Sequence, residues 1–151
     1  YEIIARSDAD NTLPPYWIKK IKKNFSSRKI DALTGPIVFG DFLLKTTLMS
    51  RFYSGALKLV VGSDILLGMN YVITKKIWEQ VKKGICWDDR LVHEDIDLSM
   101  NIILGGGKIY RDNSLVIDTS ARRMKHSHTF WAVYPVKLVK TLSLYNYGRP
   151  R

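Results

Sequence analysis

Two short acidic runs offer the clearest chemistry in this sequence. Asp8 and Asp10 form one; Asp88, Asp89, Glu94, Asp95 and Asp97 form the other, so seven of fourteen acids sit in two places in a chain of net charge +10. Like charges held close repel, so such clusters persist where something positive compensates, either a divalent cation or nearby Lys and Arg. Asp8-Ala9-Asp10 puts two carboxylates one residue apart in a turn, where both can face one cation. Hard oxygen donors of this kind suit Mg²⁺ or Mn²⁺, which commonly complete their shell with substrate phosphate. Glu94-Asp95 falls at the start of an expected helix, where the macrodipole favours ionised carboxylates. A sheltered carboxylate there could take a proton from a hydroxyl, or could simply cap the helix.

Other residues could serve the same chemistry. Gly68-Met69-Asn70 combines a glycine, which allows close backbone approach, with an amide that donates and accepts; a tight turn before a strand would look the same. Arg122, Arg123, Lys125, His126 and His128 follow an expected strand. Arginine binds phosphate in bidentate fashion, and a neutral histidine can ligate a metal. Asp88 and Asp89 read as solvated loop acids.

The elements that must position these groups alternate between strand and helix. Ile3-Ile4 marks a strand ending at the polar turn Ser7–Thr12. Pro14-Pro15 precedes an amphipathic helix with Trp17, Ile21 and Phe25 inward and Lys19, Lys20, Lys22 and Lys23 outward. The stretch 30–39 is extended with a bend at Gly35-Pro36, and 41–61 is helical with Leu44, Leu48, Phe52 and Leu59 facing inward. The stretch Leu66–Ile73 is apolar with Gly68 inside it. Thr74 then caps a short helix carrying Ile77, Trp78 and Val81. A helix over Glu94–Leu104 stops at Gly105-Gly106-Gly107, and short strands follow at 108–111 and 115–118. Pro135 opens a last basic helix with Leu138, Leu142 and Tyr145. The alternation argues an α/β fold.

Composition bounds the rest. At 151 residues with 46% hydrophobic content the chain can bury a core and is not disordered. The lone Cys86 excludes an intrachain disulfide, and no apolar run reaches the length of a membrane span. The chain opens on Tyr1 and a strand-like run instead of a secretory leader, and so reads as entered partway through a domain. The basic charge favours anionic partners. Nucleic acid is one, but the lysines spread over several helix faces and no nucleic-acid-binding signature is present.

The order and spacing of these motifs resemble the later part of the family 2 glycosyltransferases. The likeness runs through Ile3-Ile4-Ala5-Arg6-Ser7-Asp8-Ala9-Asp10-Asn11-Thr12, Leu33-Thr34-Gly35-Pro36, Leu67-Gly68-Met69-Asn70, His93-Glu94-Asp95-Ile96-Asp97-Leu98-Ser99 and Thr119-Ser120-Ala121-Arg122-Arg123. It implies a GT-A fold, a mixed sheet flanked by helices, without the N-terminal nucleotide-binding βαβ half. Residues 1–128 would be a partial catalytic domain and 129–151 a basic amphipathic helical segment. By the resemblance, Asp8 and Asp10 would hold a metal (Mg²⁺ or Mn²⁺) and the nucleotide-sugar, with Arg122 and Arg123 on the phosphates. Asp95 would be the catalytic base with Glu94 beside it. Gly68, Met69, Asn70 and His93 would line the sugar or acceptor pocket, and His126 or His128 would complete the metal shell.

The implied reaction is inverting transfer of a sugar from a nucleotide-diphosphate donor to the hydroxyl of a glycan or lipid-linked acceptor, in the cytoplasm or at the cytoplasmic face of a membrane. The Gln-x-x-Arg-Trp signature of processive polysaccharide synthases is absent, which points to single addition. The last helix, preceded by Phe130, Trp131 and Tyr134, has the composition of a membrane-surface element, although docking of its apolar face on the core accounts for it better.

Overall fold

The structure, a computed structural model, describes residues 2–40, 46–88, 90–121 and 128–146. These form β1 (Ile3–Ser7), α1 (Trp17–Ser27), β2 (Ala32–Thr34), β3 (Ile37–Phe39), α2 (Thr46–Val61), β4 (Asn70–Thr74), α3 (Lys75–Val81), α4 (Glu94–Leu104), β5 (Ile109–Arg111), β6 (Ile117–Thr119) and α5 (His128–Asn146). The fold is mixed α/β, as the alternation of elements implies.

The main sheet has the order β1-β4-β2-β5. Strand β4 runs antiparallel to both β1 and β2, while β2 and β5 are parallel. Residues Asn70–Ile73 of β4 are buried, as a central strand rich in β-branched residues should be. The period-2 alternation of side chains then sorts the core into two clusters. Ala32, Tyr71 and Ile73 join Ile77, Val81, Leu98 and Ile102 under α3 and α4. Leu33 and Val72 join Trp17, Ile21, Leu115 and Ile117 under α1 and a second, parallel pair, β3 with β6.

The bend between β2 and β3 has a steric cause. A Cβ on Gly35 would lie 2.0 Å from the Leu115 carbonyl oxygen, so only glycine fits as the chain crosses from one sheet to the other. Thr74 caps α3 as expected, its Oγ1 accepting from the Ile77 N–H at 3.2 Å.

Two expectations are corrected. Leu48, Phe52 and Leu59 of α2 do not face inward; they are 72%, 80% and 89% exposed, while Ser54 and Leu57 are buried. The helix turns the face with Ser50, Tyr53, Ser54 and Leu57 to the core, where Ser54 accepts from Arg111 and Leu57 packs with Ile65 and Ile96. Leu44 lies outside the described residues. Pro135 does not open the last helix but lies inside it. It has no N–H for the preceding turn, yet it is exposed, so its ring meets solvent and not core.

Candidate active site

The Asp8–Asp10 turn leaves the end of β1 and is tied back by the Asn11 N–H donating to the Asp8 carbonyl at 3.2 Å. Asp8 is half-buried and Asp10 exposed. Asp10 lines a shallow depression with Thr12, Gly40, Asp118, Thr119 and Ser120. Asp118 enters it from β6, whose backbone exchanges hydrogen bonds of 2.7 and 3.2 Å with Thr12 and whose carboxylate accepts from the Gly40 N–H at 2.8 Å. Sequence reasoning passed over Asp118, because only the β6–turn pairing brings it to this depression.

Glu94, Asp95 and Asp97 of the second cluster sit on the first turn of α4, and two bridges tie that turn to the first cluster. Arg6, on β1, forms an ion pair with Glu94. Asn11 Nδ2 donates to the Met69 carbonyl at 2.8 Å, and the next amide back along the chain, Gly68 N–H, donates to Asp95 Oδ2 at 3.0 Å. Both follow from register: Ser7 of β1 pairs with Asn70 of β4, so the acidic turn must emerge beside Gly68-Met69. The Glu94 carboxylate holds the Arg6 guanidinium above its ordinary pKa.

Asp95 is the better sheltered carboxylate. Its Oδ1 also accepts from the Ile96 N–H at 2.9 Å. Burial pushes its carboxyl above the ordinary aspartate range. The Gly68 N–H, the neighbouring His93 and the Ile96 N–H pull the other way, and the charge of Glu94 adds to the rise. A Cβ on Gly68 would approach Asp95 Oδ2 to 3.3 Å, so the glycine leaves room for this carboxylate.

Helix α5 closes one side. The Tyr134 ring packs on His93 with centroids 4.1 Å apart, and the Tyr134 carbonyl lies 3.1 Å from His93 Nε2. Thr141 Oγ1 accepts from the His93 N–H at 2.9 Å. The Tyr134 hydroxyl meets that of Tyr53, from α2, at 3.3 Å. Burial, with the negative charge of Asp95 nearby, raises the pKa of both tyrosines and keeps them protonated. The sequence assigned neither tyrosine to this site, since each comes near Asp95 from a helix distant along the chain.

Asp97 is fully buried and performs a different task. It accepts from the Cys86 N–H at 2.8 Å and from the Tyr145 hydroxyl, and Asn101 donates to its backbone carbonyl at 2.8 Å. It thereby fixes both the loop before α4 and the end of α5. Leu138 and Leu142 pack against Leu57, Ile65 and Ile96, so this face of α5 docks on the core.

The remaining expected residues fall as follows. Asn70 is fully buried: its Nδ2 donates to the Leu115 carbonyl at 2.7 Å and its Oδ1 accepts from Trp17 Nε1 at 3.1 Å. Its side chain therefore serves the core and not an open pocket. Met69 is half-buried, within 3.9 Å of the Thr119 hydroxyl. Asp88 is held by Arg90. Asp89, Arg122, Arg123 and His126 lie outside the described residues, as does the side chain of His128. Among the described residues no three His, Cys, Asp or Glu side chains gather as a metal cage.

The arrangement defines a mixed α/β fold with carboxylates collected where β1 and the loop before β4 meet a helix N-terminus, and comparison with solved structures gives that fold a class. The chain is similar to the mannosyltransferase PcManGT from Pyrobaculum calidifontis in complex with GDP-Man and Mn²⁺, with a TM-score of 0.68 at 16% sequence identity. The match covers 98% of this chain and 40% of that one, so the chain spans less than half the neighbour's length. The fold is thus similar to that of this glycosyltransferase. No family model and no curated protein matches the sequence.

Proposed function

We propose that this chain carries the acceptor-activating and metal-binding part of a family 2 glycosyltransferase of GT-A fold, moving a sugar with inversion from a nucleotide-diphosphate donor to an acceptor hydroxyl. The observation that carries the reading is the pair of bridges, Arg6 to Glu94 and Asn11–Met69–Gly68 to Asp95, which hold an open acidic turn against a sheltered carboxylate. A neighbour of the same fold holding GDP-Man and Mn²⁺ supports a nucleotide-sugar donor and a divalent cation.

Asp95 is the general base. Its raised pKa gives it more affinity for an acceptor proton than a solvated aspartate has, while the Gly68 and Ile96 N–H groups keep its lone pairs aimed. The acceptor oxygen, freed of its proton, attacks the anomeric carbon on the face opposite the leaving diphosphate. Tyr134 and His93 form the wall against which an acceptor ring can rest. Asp8 and Asp10 offer hard oxygen donors that fit Mg²⁺ or Mn²⁺, with His126 or His128 as a further ligand. Bound there, the cation would neutralise charge developing on the diphosphate. Arg122 and Arg123 are assigned to the same phosphates.

Residues 1–128 carry these groups, and the segment from 129 onward forms the wall that closes on Asp95. A cytoplasmic location at a membrane face goes with a nucleotide-sugar donor and a lipid-linked acceptor. Asp95→Asn, made in the longer enzyme of which this chain would be a part, tests the reading: sugar transfer should be lost while titration calorimetry finds donor affinity retained. Turnover at the unmodified rate would refute the base assignment.

A further inference from the structure

Helix α2 carries its strongest apolar stripe on the wrong side for a core. Leu48, Phe52 and Leu59 recur at i, i+4 and i+11, with Gly55 filling the i+7 place, so they form one continuous stripe along the helix. All three are exposed, and Val60 beside them is 68% exposed. The opposite face, with Ser50, Tyr53, Ser54 and Leu57, packs inward. Helix α5 repeats the arrangement. Its inner stripe of Tyr134, Leu138, Thr141, Leu142 and Tyr145 docks on α2 and α4, while Val133, Val136 and Val139 face out. A single exposed leucine needs no explanation, but seven large apolar residues on the outer faces of two touching helices do.

Charge identifies what covers them. Neither helix contains an Asp or Glu, and between them they carry Arg51, Lys58, Lys137 and Lys140. Lys58 pairs with Asp64 from the loop beyond α2, yet its side chain stays 55% exposed. A second copy of the chain docked here by two-fold symmetry would set cation against cation around an apolar centre, which disfavours self-association. An anionic bilayer meets both demands: the apolar side chains enter the boundary between headgroups and acyl chains, and Lys and Arg snorkel to the phosphates. Among the described residues no helix is long and apolar enough to cross a membrane, so contact would be interfacial.

We propose that the outward faces of α2 and α5 form a surface that seats on an anionic bilayer. This differs from the membrane element suggested by composition, because Leu138, Leu142 and Tyr145 point to the core and α2 supplies the larger share of the surface. The proposal stands without the transferase reading. Joined to it, Tyr53 and Tyr134 reach inward from these same two helices to Asp95, so an acceptor carried by a lipid would meet the candidate base next to the bilayer.

Co-sedimentation of the full chain with vesicles of phosphatidylcholine plus phosphatidylglycerol, and with phosphatidylcholine alone, tests it. The chain should pellet with the anionic vesicles and much less with the neutral ones. Phe52→Ser with Leu59→Ser should weaken that partitioning by about tenfold or more, given the transfer free energies of the two side chains. Ile18→Ser, an exposed apolar residue on α1, should leave it unchanged, and so should Asp10→Ala. Both positions in the double variant are solvent-facing, so its thermal midpoint should match the unmodified chain. Failure to pellet with anionic vesicles, equal pelleting of the double variant, or a concentration-dependent dimer that the double variant abolishes would each overturn the proposal. Donor binding measured on the same samples keeps the two readings apart: vesicle binding lost with donor binding kept counts against the surface alone.

Discussion

The two acidic clusters are held in opposite ways. The Asp8–Asp10 turn is fixed through its backbone, by the Asp8 carbonyl and the Thr12–Asp118 pairing, and Asp10 remains open to solvent. On α4 the carboxylates themselves are engaged: Glu94 by Arg6, Asp95 by two backbone N–H groups, Asp97 by Tyr145 and Cys86. A ligand site needs oxygen atoms that can turn to a cation, so its order is best carried by the backbone. A base needs one fixed direction and a tuned proton affinity, so its order is carried by hydrogen bonds to the carboxylate. On α4 the fold itself answers the acidic clustering, with a cation for Glu94 and neutral N–H and O–H donors for Asp95 and Asp97.

The contrast is sharpest in the response to substitution. Asp95→Asn should slow sugar transfer by about 10²–10⁴-fold, the span of a positioned general base. Because burial raises its pKa, the acid limb of the transfer rate should fall off above about 3.9, the ordinary aspartate value. A pH–rate profile whose limb sits at or below that value would break the distinction between a sheltered base and a solvated acid.

Asp97→Ala should act on stability instead. It removes the carboxylate that accepts from the Cys86 N–H and the Tyr145 hydroxyl, costing about 2 kcal/mol, or roughly a 6 °C fall in thermal midpoint, while Asn101 and the residue-97 carbonyl still hold the tyrosine. Differential scanning calorimetry reads this directly, and a midpoint within a degree or so of the unmodified chain would show that α5 is anchored by other contacts. Asp10→Ala should leave the midpoint unchanged while weakening Mn²⁺-dependent donor binding by about tenfold or more. An equal loss of affinity in the absence of metal would remove the turn from the role of cation ligand. The smallest change is expected of Glu94→Gln. Its ion pair with Arg6 is largely solvent-exposed, so stability should shift by less than about 1 kcal/mol, and that shift should vanish in high salt.

Legibility follows the same division. The bounds of α4, the Thr74 cap, the Gly35-Pro36 bend and the inward Trp17 and Ile21 of α1 could be read because local rules govern each: a run of helix formers ending in glycines, a hydroxyl before a helix, a glycine before a proline, a 3.6-residue period. The direction of α2 could not. Hydrophobic periodicity reports which face of a helix is apolar, and equates that face with the inside only if the core is its sole apolar neighbour. The places of Arg6, Tyr53, Tyr134 and Asp118 at the site could not be read, since each acts through a partner far along the chain. Asn70 shows the converse. An amide beside a glycine suggests a ligand, yet here it is fully committed to Trp17 and Leu115.

By itself, then, the sequence determined the α/β alternation, the chain's +10 charge and the two places where acids concentrate against it. These depend on residue type and short spacing, which the chain carries into any fold. Tertiary structure alone decided which carboxylate is buried and which stays open, which face of α2 meets the core, and which tyrosines stand beside Asp95. Those outcomes arise from desolvation and long-range packing. Desolvation depends on what packs around a group, and the tyrosines that feel the charge of Asp95 come from helices that begin dozens of residues before and after it.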